Sequence, residues 1–142
     1  PVVMVSTLQA LAQGAYKNYG ATKVLVALDA RMQQIYWGAY SLGADGLMQA
    51  LQEDQLCAPN QVTAPSSIDK DWVMVGNALS EYSEVLQPFC QLLNHQYPLL
   101  TSPNARDVAM ITQVYFSQGR AVSPELALPV YLRDQNAWKK QA

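Results

Sequence analysis

Asp29 and Arg31 place opposite charges two residues apart, directly after the apolar run Val24-Leu25-Val26-Ala27-Leu28. An acid at a strand end can hold a metal, and a hairpin there can approach phosphate. A phosphate cradle also needs glycines or small hydroxylated residues, whose backbone N–H groups can approach the anion. Ala30, Met32, Gln33 and Gln34 do not supply them. The favoured reading is therefore structural: Asp29 and Arg31 fix a hairpin corner by a charge-assisted hydrogen bond. Gly76-Asn77 stands where α/β folds tend to place ligand contacts, yet the same pair serves any tight exit from a strand. At the other end of the chain Arg133 follows Tyr131 and Leu132, and Trp138 precedes Lys139 and Lys140. These four residues (Tyr131, Leu132, Arg133 and Trp138) are either partner contacts or a tail packed on the body.

Other chemistries find less support. His95 is the single histidine and sits in Asn94-His95-Gln96-Tyr97-Pro98, which reads as a loop, whereas two imidazoles one helical turn apart are needed to share a metal. No Ser, His and acid cluster by motif. Cys57 and Cys90 lack metal spacing and read as reduced, partly buried thiols. Nine basic against eleven acidic side chains give a net charge of −2, and no run of Lys or Arg tracks a phosphate backbone. Direct nucleic-acid binding by this chain alone is not expected. Nor is a membrane span, since no apolar run is long enough. The expectation is no catalytic residue, no metal and no cofactor.

Half of the 142 residues are hydrophobic and 14% are charged, which predicts a packed domain. Val2 to Val5 reads as a strand. Ser6 reads as the N-cap of a helix with Gln9 reaching back in a capping box, and Gly20 as its C-terminal stop. Leu8, Leu11, Ala12, Ala15 and Tyr19 form one face of that helix. Val24 to Leu28 lacks alternation, as in a strand covered on both sides, and Ile35 to Tyr40 continues as a β-branched and aromatic strand. A turn over residues 43–46 leads to a third antiparallel strand within Leu47 to Leu56, and Trp72 to Val75 is a further buried strand. Helices are expected from about Leu79 to Leu93, with Leu79, Tyr82, Leu86 and Phe89 inward and a bend or interruption at Pro88, and from Ser102-Pro103 to Gly119, with Val108, Ile111, Thr112 and Tyr115 inward. Residues 127–133 are extended, with a last turn over 136–140. Because Pro1 opens straight onto an apolar strand, the expectation is a piece of a longer protein whose missing part precedes Pro1.

Three separated segments carry a resemblance. The stretch Val24 to Tyr40, VLVALDARMQQIYWGAY, resembles the "strand, D-A-R, E-V-Y-W" hairpin of the bacterial TsaB (YeaZ) family. PVVMVSTLQALA at the start resembles that family's "P-x-x-x-V-S-T-L" entry, and LPVYLRDQNAWKK near the end resembles its "P-V-Y-L-R-x-x-x-A-W-K" tail. The family often has Gly-Glu where Gln33 and Gln34 stand. The segment from Pro59 to Asp71 matches poorly.

The resemblance implies an α/β fold: one ribonuclease-H-like half of the actin, Hsp70 and sugar kinase superfold, with a mixed sheet, antiparallel hairpins and flanking helices. Residues 1–20 would be the last strand and linking helix of a missing N-terminal half, and residues 21–142 the C-terminal domain. The function implied is that of a non-catalytic, cytoplasmic scaffold. Its partners would be a TsaD-like transferase and a TsaE-like ATPase, which together make threonylcarbamoyladenosine beside the anticodon of tRNAs reading codons that begin with A. Contact with tRNA would be indirect. The alternative is a nucleotide-binding or glycoprotease-like enzyme half of the same superfold. Homodimerisation through the exposed edge Val2 to Val5 is a third reading.

Overall fold

The computed structural model describes residues 1–133; Trp138, Lys139, Lys140 and the expected turn over 136–140 lie outside them. Two strands form the spine, β1 (Lys23–Asp29) and β2 (Ile35–Leu42), antiparallel through the whole of β1. β3 (Met48–Ala50) and β4 (Gln55–Cys57) pair with opposite ends of β2. β5 (Val73–Val75) lies parallel to β1, and β6 (His95–Tyr97) parallel to β5, giving the order β3-β2-β1-β5-β6. This mixed sheet with helices on its faces is the ribonuclease-H-like half that the resemblance implies.

The apolar run at residues 24–28 has the expected cause. Val24 and Val26 point into one core, beneath α1 (Thr7–Tyr19), with Leu8, Leu11, Ala12 and Ala15. Leu25 and Ala27 point into the other, beneath α2 (Ala78–Glu81) and α3 (Ser83–Cys90), with Trp37, Met74 and Leu86. Full burial of a Val or Leu contributes ~1.5–3 kcal/mol. Val24, Leu25 and Val26, all at 0% exposure, therefore anchor the sheet more firmly than any surface pair could. A third cluster, Ala10, Leu47 and Ile111, joins α1 to α4 (Ala105–Ser117).

Several elements differ from expectation. Val2 to Val5 forms only one antiparallel bridge, Val2 with Val122, because no neighbouring strand lies alongside it among the described residues. The third strand is split into β3 and β4 where the chain turns away at residues 51–54. The helix after β5 breaks at Tyr82 (φ −122°, ψ 39°), not at Pro88. Pro88 stays inside α3 on its exposed side, where a missing N–H costs little because water reaches the freed carbonyl. Residues 95–97, expected as loop, pair as β6. The cap of α4 is Asn104, whose side chain accepts from the Arg106 N–H at 2.9 Å, not Ser102. Val108 and Tyr115 are only partly buried there, while Asp107 is buried.

Ser6 does cap α1, and Gly20 closes it at φ 70°. Gln9, however, does not complete a capping box. Its side-chain amide donates instead to the Met48 carbonyl (2.9 Å) and the Tyr115 hydroxyl (2.5 Å). Gln13, fully buried, donates to the Gly46 carbonyl and accepts from the Met48 N–H, so both ends of its amide are satisfied.

Candidate functional site

The carboxyl ends of the parallel strands β1 and β5 lie side by side, and open α/β sheets bind ligands at such ends. β5 leaves through Gly76 at φ 116°. A side chain is impossible there, because a Cβ would sit 2.0 Å from the Ala27 carbonyl oxygen. That close approach aims Asn77, whose side-chain oxygen accepts the Asp29 N–H at 2.9 Å. Gly76-Asn77 is thus a strand-to-strand tie, in line with the structural reading.

Asp29 is similarly occupied. Its Oδ1 accepts the Arg31 N–H at 2.9 Å and the Tyr82 hydroxyl at 3.1 Å. The Arg31 guanidinium stands 3.7 Å from Oδ2, but its side chain is 89% exposed against 10% for Asp29. The corner is held by the backbone amide, then, and not by the ion pair, since an exposed pair contributes little. Tyr82 is raised above the ordinary tyrosine range, chiefly by desolvation and then by its bond to the Asp29 carboxylate.

The corner itself is left-handed. Arg31, Met32 and Gln33 have φ of 63°, 54° and 57°. Three successive non-glycine residues in this region are strained. Arg133 reaches them from about one hundred residues away: its Nη2 donates to the Ala30 carbonyl at 2.7 Å, and Nη1 lies 3.2 Å from the Met32 sulfur.

Of the residues singled out in the sequence, Asp29, Arg31 and Arg133 meet here, together with Asn77. Tyr131 does not join them and is 71% exposed, while Leu132 is half-buried. Trp138 lies outside the described residues. Tyr82 was expected only as an inward helix residue; its hydroxyl's bond to Asp29 has no local sequence signal.

A second polar cluster also escaped sequence reasoning. Asp54, on the segment that splits β3 from β4, accepts the Ser6 hydroxyl at 2.5 Å and the Tyr40 hydroxyl on its other oxygen. Burial first, then the hydrogen bond and charge of Asp54, push the Tyr40 phenol far above its usual range. An acceptor carboxylate beside Ser6 is not a base able to take its proton through a histidine. His95 is elsewhere, exposed on β6 and stacked near Tyr97. The cluster is a brace between α1 and the sheet.

Cys57 and Cys90 are free thiols, both raised by burial. An open groove between α2–α3 and β6 is lined by Ser80, Ser83, Glu84, Gln87 and Cys90. Among the described residues no three His, Cys, Asp or Glu side chains converge as a metal site, and no helix is long and apolar enough to cross a membrane.

A family model described as TsaD, tRNA N6-adenosine threonylcarbamoyltransferase, matches residues 1–141. The chain is 36% identical over 141 residues to the tRNA threonylcarbamoyladenosine biosynthesis protein TsaB of Escherichia coli, covering 99% of this chain and 60% of that protein. The Haemophilus influenzae TsaB is 28% identical over 147 residues, with the same coverage. Among solved structures, a Pseudomonas aeruginosa protein described as similar to the peptidase YeaZ superposes with a TM-score of 0.83 at 36% identity, over 94% of this chain and 59% of that one. YeaZ of Pseudomonas aeruginosa superposes at 0.73 with 30% identity, over 89% and 58%. The chain thus spans about 60% of the length of these curated relatives.

Proposed function

We propose, from the premise that this chain belongs to the TsaD family and to its TsaB (YeaZ) group, that it is a non-catalytic scaffold portion of a tRNA threonylcarbamoyladenosine biosynthesis protein. On this reading it supports a TsaD-like transferase, alongside a TsaE-like ATPase, in the cytoplasm. The partner carries the chemistry and meets the tRNA. On this reading residues 1–20 carry the link to a preceding half, with α1 packed on the C-terminal domain at residues 21–142.

One observation carries the reading. At the strand ends, where enzymes of open α/β architecture place their chemistry, Asp29, Asn77 and Tyr82 are bonded to groups of this chain. The Arg31 guanidinium is held outward, with the shape to meet a carboxylate or phosphate of a partner. That is an anchor for another protein more than a reaction centre.

The test is reconstitution. Threonylcarbamoylation by a TsaD-like transferase and its ATPase should require the full-length parent, and residues 1–142 alone should turn over nothing. The resemblance implies that the main transferase contact is a helix bundle of the first half, so residues 1–142, which offer only a secondary contact through Arg31, should bind the transferase weakly or not at all in a pull-down. Turnover by the purified chain would end the scaffold reading, and full-strength binding would end its assignment of the contact. A thermal-shift titration with ATP and magnesium separates the enzyme alternative. Ligand at a hundred times Kd adds about 2.7 kcal/mol of stability, a plain rise in midpoint, and none is expected.

A further inference from the structure

We infer that Arg133 and the left-handed corner at residues 30–33 form a latch, in which the tail segment 127–133 and the corner hold each other in place. The inference stands independently of the scaffold reading.

Neither element is self-sufficient. Segment 127–132 contributes little to any core: Leu128, Val130 and Tyr131 are 69%, 83% and 71% exposed. Its backbone bonds, Ala127 N–H to Pro124 and Leu128 N–H to Leu126, are local. Among the described residues, the hydrogen bonds that tie this tail to the body are those of Arg133, to the Ala30 carbonyl, to the Met32 sulfur and, at 3.5 Å, to the Arg31 carbonyl. The corner is strained at three positions and persists only while its surroundings over-determine it. Its internal ties are the Ala30 N–H to Gln34, the Gln34 N–H to Arg31 and the Arg31 N–H to Asp29. Arg133 supplies the external one. Its planar fork meets a carbonyl and a thioether at once, which a single ammonium could not do with the same geometry.

Two consequences follow from the geometry. While the latch is engaged, the backbone beneath Arg31 is fixed and its guanidinium faces outward. When it is released, the corner can relax, and an apolar extended segment is freed at the same moment.

The test uses the 142-residue chain and two readouts. Chymotrypsin cleavage after Tyr131, followed by mass spectrometry of the released 132–142 peptide, reports the tail. Hydrogen exchange at the Arg31 and Gln34 amides reports the corner. Arg133→Ala should raise both by about tenfold, the population shift expected for losing a charge-assisted hydrogen bond. Coupling is reciprocal, so Asp29→Ala should speed cleavage after Tyr131 as well as corner exchange. If that variant does not fold, Tyr82→Phe perturbs the same carboxylate more mildly and should move both readouts in the same direction. Faster cleavage in Arg133→Ala with unchanged corner amides would overturn the latch. So would a corner variant with faster amide exchange and unchanged cleavage.

Discussion

Replacing Gln33 with glycine should stabilise this protein, although the substitution removes a side chain and adds no contact. Gln33 is exposed and held at φ 57°. The left-handed region costs an L-residue ~1–2 kcal/mol, and glycine escapes that cost. Against this stands the greater freedom of glycine in the unfolded chain, worth ~0.5–1 kcal/mol. The net gain is therefore about 0.5–1 kcal/mol. For a domain of this size that is a rise of roughly 2–3 °C in Tm. In urea it is a shift of about 0.3–0.5 M in midpoint at unchanged m-value. The control is Gln91→Gly, an exposed glutamine at φ −69°. There glycine brings only its entropic cost, so stability should fall by about 0.5–1 kcal/mol. The sign difference is what matters. Should Gln33→Gly match or fall below the parent in equilibrium urea unfolding while Gln91→Gly behaves as stated, the corner is not strained as argued. The TsaB-like families to which this hairpin is similar often carry glycine at that position, which fits the same conformational demand.

Other outcomes follow from the same contacts. Gly76→Ala forces a methyl to 2.0 Å from the Ala27 carbonyl and should cost about 4 kcal/mol or prevent folding, as circular dichroism during urea titration will show. Tyr40→Phe removes a donor to a carboxylate and should cost about 2 kcal/mol at pH 7. Tyr40 is raised in the folded state, so its contribution is complete below the unfolded value of 10.0 and is lost as pH climbs above it. The parent should therefore lose stability above pH 10 more steeply than Tyr40→Phe, by up to about 1.4 kcal/mol per pH unit, and equal slopes would refute the assignment. Arg31→Ala should leave Tm within about 2 °C of the parent, because the exposed guanidinium is not what holds the corner. In the full-length parent it should weaken transferase binding by about tenfold in a titration, and an unchanged Kd would remove Arg31 from the interface.

What could be read beforehand was what periodicity and local chemistry encode. The unbroken apolar run at residues 24–28 announced two-sided burial, Ser6 and Gly20 bounded α1, and the turn between β1 and β2 was located at the Asp29-Arg31 corner. Most of the misses share a cause: a partner distant in the chain. Gln9 looked like a capping-box residue, but a hydroxyl 106 positions away, on Tyr115, offered a buried partner. Pro88 looked like the helix breaker, whereas the break fell at Tyr82, whose hydroxyl bonds Asp29 from 53 residues away. Asp54 gave no local sign that it would brace Ser6 against Tyr40. Val2 to Val5 has the composition of a strand, but strand formation needs a neighbour, and composition does not reveal whether one is adjacent.

The Tyr19–Tyr97 stack, with ring centroids 3.8 Å apart and planes within 4°, clasps the end of α1 to the outermost strand. β6 has only three residues and, among the described residues, one hydrogen-bonded neighbour strand, so by itself it would fray. Clasping it to the first helix links the rim of the sheet to the opening residues of the chain. Truncating either phenol to alanine should therefore loosen both places together, as a buckle does when either half is cut.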